Sequence, residues 1–261
     1  MYKQYKNDVH HPTAEMKNSK AYFAEHRAEI IQNLNMFADE QSNDVYKKMI
    51  RFRCTHNVRK LPEYILHNSY FVEDIVPVRL NEVFVDCGAF TGDTVKAFIK
   101  YHAGNYKKIV CFEPDSNNYK SLIKNTSGIK NVHICRAGVW SKKETLRFVD
   151  ESGASSRIMN STDNSHIIEI PVQSNDGSEL CNDASFIKMD IEGAEYEALR
   201  GAELTIRNNL PILAICIYHS NEDMVRLPQF LKSLNLYYNY YVRQHGFDAF
   251  DTVMYVITRE E

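Results

Sequence analysis

With 261 residues, 44% of them hydrophobic and 25% charged, the chain has the composition of a soluble globular protein with one good-sized domain and an appendage, which argues against disorder. A formal net charge of −3, with both signs mixed along the chain, gives no electrostatic reason to expect nucleic acid or an anionic membrane as the main partner. The polar start and the lack of about 18 consecutive apolar residues lead us to expect a cytoplasmic protein with no membrane span. The six cysteines (Cys54, Cys87, Cys111, Cys135, Cys181, Cys216) show no Cys-x-x-Cys spacing and read as reduced core thiols, not as a disulfide framework or a zinc site.

Residues up to about 80 are rich in helix formers. Asn18 or Ser19 is expected to open a helix from Lys20 to Phe37, with Ala21, Ala24, Ala28, Ile31 and Leu34 as its apolar stripe. Ser42 is expected to open a second from Asp44 to Cys54, on which Lys47, Lys48, Arg51 and Arg53 read as a solvated face. The stripe needs a cover, so residues 1–80 are expected to form a lid over an acceptor site or a homodimer surface. Leu61-Pro62 and Pro77 punctuate the approach to the main domain, 81–261.

From Glu82 the pattern becomes short apolar runs separated by amphipathic stretches, the mark of βαβ units around a parallel sheet. Strands are expected at Val83 to Asp86, Lys108 to Phe112, Val132 to Cys135, Ser185 to Asp190 and Leu213 to Tyr218. Helices are expected at Asp93 to Tyr101, Asn117 to Asn125, Ala194 to Asn208 and Leu227 to Leu234. Leu146 to Val149 and Ile167 to Ile170 read as extra β segments around a polar surface loop, Glu151 to Ser165, and Tyr237 to Arg243 with Thr252 to Thr258 as a closing hairpin.

In an open parallel sheet the ligand crevice lies beyond the carboxyl ends of the strands. There the first strand runs into Asp86-Cys87-Gly88-Ala89-Phe90-Thr91-Gly92-Asp93-Thr94, whose two glycines let backbone pass close to a ligand. A dinucleotide fingerprint needs a third glycine, where Phe90 stands, which disfavours an NAD-type oxidoreductase. Asp86 is a poor neighbour for phosphate and a good one for a cationic, amine-bearing ligand, so S-adenosylmethionine is favoured. Glu113, in Phe112-Glu113-Pro114-Asp115 at the end of the second strand, is placed to accept both hydroxyls of a ribose.

Together with Ala137-Gly138-Val139-Trp140 and Ile187-Lys188-Met189-Asp190-Ile191-Glu192-Gly193-Ala194-Glu195, these motifs resemble the FkbM-type methyltransferases from about Glu82 to the C-terminus. The resemblance implies an α/β class I methyltransferase fold, Rossmann-like and doubly wound, with a mostly parallel seven-stranded sheet whose last strand is antiparallel. It also implies S-adenosylmethionine as cofactor and O-methylation of a sugar, glycan or similar small hydroxyl-bearing acceptor. The expected cofactor contacts are Asp86, Gly88, Ala89, Phe90, Gly92, Thr94, Glu113, Pro114, Gly138 and Asp190.

Asp190, at a strand end, can steer the methionine amine or orient an acceptor hydroxyl, Glu192 and Glu195 stand beside it, and His219 can act as general base, with His245 a second candidate. Tyr218, Tyr237, Tyr238, Tyr240, Tyr241 and His245 are compatible with stacking on sugar rings and equally with a β-hairpin rich in good strand formers. Asp190, Glu192 or Glu195 and His219 would together suit magnesium or manganese, but no spacing requires a metal and none is assigned. A non-catalytic nucleoside-binding or interaction protein on the same fold is the reading from another class.

Overall fold

A computed structural model describes residues 18–62, 69–149, 157–158, 167–246 and 250–259. Along the chain, helices α1 (Ser19–Glu25), α2 (Arg27–Leu34) and α3 (Glu40–Thr55) precede β1 (Glu82–Cys87), α4 (Asp93–Tyr101), β2 (Tyr106–Phe112), α5 (Ser116–Thr126), β3 (Val132–Cys135) and β4 (Gly138–Val139). Then come β5 (Glu144–Val149), β6 (Arg157–Ile158), β7 (Ile167–Gln173), β8 (Phe186–Met189), α6 (Glu195–Arg200), α7 (Glu203–Asn209), β9 (Ile212–Cys216), α8 (Asn221–Ser233), β10 (Tyr238–Gln244) and β11 (Thr252–Thr258).

Seven strands form one sheet in the order β10-β11-β9-β8-β1-β2-β3, parallel from β9 to β3 and antiparallel where β11 meets β9 and β10. This is the expected doubly wound class I methyltransferase sheet. Alternation along the strands sends Val85, Cys87, Ile187, Met189, Leu213 and Ile215 to one face, under α3, α6, α7 and α8. Phe84, Ile109, Phe186, Ala214 and Tyr255 go to the other, with Phe71 and the helix residues Val95, Phe98 and Leu122. Both faces are covered, which is why the strands read as near-continuous apolar runs.

The N-terminal helices differ from the sequence expectation. The helix expected from Lys20 to Phe37 breaks at His26, and the residues that turn inward are Phe23, Asn33 and Phe37, while Ala21, Ala24, Ala28 and Ile31 face solvent. Alanines bury little area, and the break resets the helical phase, so the larger side chains choose the face. Helix α3 is capped by Asp39, which accepts from Ser42 N at 2.7 Å, and Ser42 turns inward to accept from Val242 N at 2.9 Å. Val45, Tyr46 and Met49 are fully buried against β10 and α8, so the cover for this segment is supplied within the chain. Phe37 pairs with Tyr240, and Ala38 N donates to Tyr240 O at 2.9 Å, which blunts the β10 edge of the sheet.

Helix α8 starts six residues before the expected Leu227, capped by Ser220, which accepts from Asp223 N at 2.9 Å, and it carries Pro228 inside it. A proline removes the bond to the carbonyl four residues back. That carbonyl, Met224 O, accepts from Tyr46 Oη at 2.7 Å, so the interruption is satisfied by α3. The helix expected from Ala194 to Asn208 divides at Gly201, where a Cβ would stand 2.1 Å from Trp140 O. Strands β4, β7, β5 and β6 form a second sheet of their own. The polar stretch Glu151 to Ser165 lies outside the described residues apart from Arg157–Ile158, which form β6. Among the described residues no helix is long and apolar enough to cross a membrane.

Candidate active site

The turn after β1 passes so close to the end of β8 that a Cβ on Gly88, at φ +79°, would lie 2.0 Å from Asp190 O. Only glycine fits that position. Gly88 N and Ala89 N both donate to Phe112 O at 3.0 Å, and Gly92, at φ +87°, leads into α4, whose first turn buries Thr94. Phe90 is held at φ +46° and exposes 54% of its surface.

Glu113 leaves the end of β2 and clamps this turn. Its Oε2 accepts from Phe90 N at 2.8 Å and its Oε1 from Asp115 N at 2.9 Å. Burial pushes its carboxyl above the ordinary value, against the pull of those two N–H donors on the charged form. Asp115 caps α5, and Pro114 is half-buried between the two carboxylates. Gly138 lies on β4 in the second sheet, where a Cβ would approach Val172 Cγ1 at 3.2 Å.

Asp86 and Lys188 are cross-strand neighbours on β1 and β8, both buried, with Asp86 Oδ1 3.0 Å from Lys188 Nζ. Lys188 Nζ also donates to Gly88 O at 2.7 Å. The cost of burying the ammonium is outweighed by the Asp86 and Asp190 carboxylates, which keep Lys188 charged. Asp86 thus meets the cation of its own fold rather than offering an exposed oxygen to a ligand, and it ties the floor of the glycine turn to β8.

Asp190 is a quarter exposed and accepts from Tyr70 Oη at 2.8 Å and Tyr218 Oη at 3.1 Å. His219 Nε2 lies 3.3 Å from Asp190 Oδ1 and 3.8 Å from Glu192 Oε2, and its Nδ1 lies 3.1 Å from Glu195 Oε1. Burial alone would raise the Asp190 carboxyl, but His219, Lys188 and Tyr70 hold it well below the carboxylate range. Burial would lower the imidazole's pKa, but Glu195 and Asp190 hold it well above its ordinary value. Glu192 is half-exposed, at φ +57° in the turn before α6.

The structure therefore gathers Asp190, Glu192, Glu195 and His219 at the carboxyl ends of β8 and β9, beside the Gly88 turn that Glu113 clamps. His245 does not join them: it is buried, with Nε2 2.7 Å from Tyr255 Oη. Tyr238 and Tyr240 are buried, donating to Pro211 O at 3.1 Å and Leu231 O at 3.3 Å, so these two are packing residues and not sugar platforms.

Three contributors were missed by sequence reasoning. Tyr70, at φ +72°, brings a hydroxyl to Asp190 from the segment before β1, and no local pattern marks it. Lys188 could have been found, since a lysine inside a doubly buried strand must be paired. Arg53 could have been found too, because it continues the Val45, Tyr46, Met49, Phe52 stripe of α3. Far from solvent, it donates through Nη2 to Tyr218 O and through Nη1 to Asn221 Oδ1 at 3.3 Å, holding the segment that carries His219.

Residues 86–248 match the Methyltransferase FkbM domain. The crystal structure of Methyltransferase FkbM from Methylobacillus flagellatus KT is similar over 90% of this chain at 24% identity and a TM-score of 0.76, and this chain spans 60% of that protein's length. An rRNA methylase from Streptococcus thermophilus is matched over 70% of this chain and 90% of its own, at 12% identity and a TM-score of 0.44. Aeropyrum pernix fibrillarin in complex with S-adenosyl-L-methionine is matched over 70% of this chain and 69% of its own, at 11% identity and a TM-score of 0.43. No curated protein sequence matches the chain. With its sheet, its glycine turn and more than half of its length matching one domain family, the chain belongs to the FkbM methyltransferases.

Proposed function

We propose that the chain is an S-adenosylmethionine-dependent O-methyltransferase acting on a sugar, glycan or similar small hydroxyl-bearing acceptor. The observation that carries the cofactor reading is the Glu113 carboxylate. Each of its oxygens holds one backbone N–H and retains a lone pair. That arrangement fits a carboxylate pre-positioned to accept two vicinal ribose hydroxyls beside a turn, Gly88 to Gly92, where backbone admits close approach. Ala89, Phe90, Thr94, Pro114 and Gly138 are assigned to the same site from the family motif, with Phe90, whose N–H the carboxylate holds, largely exposed. Asp86 contributes through Lys188 by fixing the turn.

S-adenosylmethionine supplies a methyl group already on a good leaving group, so the protein's task is to position the acceptor in line with it. Asp190 is suited to accept a hydrogen bond from an acceptor hydroxyl and too weak a base to take the whole proton. Its two tyrosine donors fix its orientation. His219, held charged between carboxylates, serves as a positioning cation and not as the base. Glu192, half-exposed beside it, is assigned to pass the hydroxyl proton to solvent.

Incubation with methyl-labelled S-adenosylmethionine and a panel of sugars, nucleotide sugars and simple polyols tests the reading. Label should enter a hydroxyl acceptor, and Asp190→Asn should reduce the transfer by about 100-fold. Label entering only protein or RNA, or a variant as active as the wild type, would refute the acceptor assignment.

A further inference from the structure

Three carboxylates converge on one imidazole at the ends of β8 and β9, and ion pairing leaves part of that cluster unused. One ligand atom each from Asp190, Glu195 and His219 lies within 4.8 Å of the others. Glu195 has no exposed surface, and its Oε2 makes no hydrogen bond although Oε1 accepts from Ile191 N at 2.8 Å. The His219 side chain is 9% exposed, and neither ring nitrogen makes a hydrogen bond of proper geometry. A buried carboxylate oxygen left without a donor is costly, and such atoms in native structures are ordinarily matched by a water or an ion.

We propose that Asp190, Glu195 and His219 hold a divalent cation that takes the place of the imidazolium charge, one ring nitrogen of His219 giving up its proton to ligate, with Glu192, 3.8 Å from His219 Nε2, closing the solvent side directly or through water. Two carboxylates balance the charge of the ion, and an oxygen-rich set with one imidazole suits manganese or magnesium. Ligand bonds of about 2.2 Å place adjacent ligand atoms about 3 Å apart, so the side chains must draw in by about 1 Å. The surroundings are built to orient such ligands. Tyr70 and Tyr218 donate to Asp190, and Arg53 holds the backbone of the segment carrying His219. Hydrogen-bonded outer partners of this kind fix the direction of first ligands.

Cation binding does not depend on the cofactor reading. Only the role assigned to it does: an ion here would hold the acceptor hydroxyl and ease departure of its proton. The experiment is a calorimetric titration of the chelator-treated full chain with manganese chloride, for the wild type, Glu195→Gln and His219→Ala, with S-adenosylmethionine titrated separately. One manganese should bind the wild type in the micromolar range, and each variant should weaken it at least about tenfold. Should a variant not fold, the wild type alone decides, because about 1 mM manganese should raise its Tm by about 5 °C. No heat and no rise in Tm for the wild type overturn the proposal, as do folded variants that bind manganese unchanged. Manganese binding without S-adenosylmethionine binding overturns the cofactor reading alone, and the reverse overturns the cation alone.

Discussion

Arg53 ties the N-terminal helices to the residues that gather around Asp190. Replacing it with methionine keeps the stem packed but strips the donors from Tyr218 O and Asn221 Oδ1. Asn221 Oδ1 keeps Ser19 Oγ as a donor at 3.1 Å, but leaving Tyr218 O without the guanidinium in the interior should cost about 2 kcal/mol, read as a fall in the denaturant midpoint at unchanged slope. An unchanged midpoint would mean that the guanidinium is not the support described. Gly88→Ala should be no better tolerated, because φ +79° and the 2.0 Å approach to Asp190 O both oppose a Cβ. A loss of at least about 2 kcal/mol is expected, and a variant as stable as the wild type would contradict the geometry of the turn. At this scale the sequence showed which acids stand at strand ends, since position after an apolar run is a local property. It did not show that Asp86 is taken by Lys188 or that Tyr70 reaches Asp190, because strand register and contacts 120 residues apart are not local.

Among the elements, the parallel strands and α4 were legible nearly to the residue, each being an apolar run bounded by turn residues. Breaks were harder to read. His26 and Gly201 divide helices whose periodicity continues across them, and Pro228 hid the first half of α8 because its lost bond is made good by Tyr46, far away in sequence. A testable tie between elements is Asp183, just before β8, whose carboxylate takes Lys107 Nζ at 2.6 Å and Lys108 Nζ at 2.7 Å from β2. Burial is the largest single influence and raises its pKa, but the hydrogen bonds and charges of the two lysines together outweigh it and bring it to about 2, below the ordinary 3.8. With the folded pKa depressed, the stabilisation is present above pH 4 and is lost as pH falls toward 2. Asp183→Asn should therefore cost under about 1 kcal/mol at pH 6, given the exposure of the pair, and almost nothing at pH 2. Equal effects of the substitution at both pH values would contradict the pairing.

For the whole molecule, the alternation of strands and helices was enough to read a parallel sheet built of βαβ units, since few arrangements satisfy right-handed crossovers with both faces covered, while the seven-stranded form followed from the resemblance to the FkbM-type methyltransferases. How the N-terminal helices dock was not readable, because an amphipathic face does not name its partner. They cover the β10 edge and complete one core with Val45, Tyr46 and Met49. Deleting residues 1–56 should remove cooperative thermal unfolding and leave an aggregating chain, whereas a truncated chain that melts cooperatively would show that the segment is dispensable.

The central claim is that the turn clamped by Glu113 binds S-adenosylmethionine. Calorimetric titration of the wild type and Glu113→Ala with S-adenosylmethionine, both checked for cooperative melting, tests it most directly. The account predicts micromolar binding by the wild type, weakened about 10-fold to 100-fold by loss of a charged hydrogen-bond acceptor. No binding by the wild type, or equal binding by a folded Glu113→Ala, would contradict it.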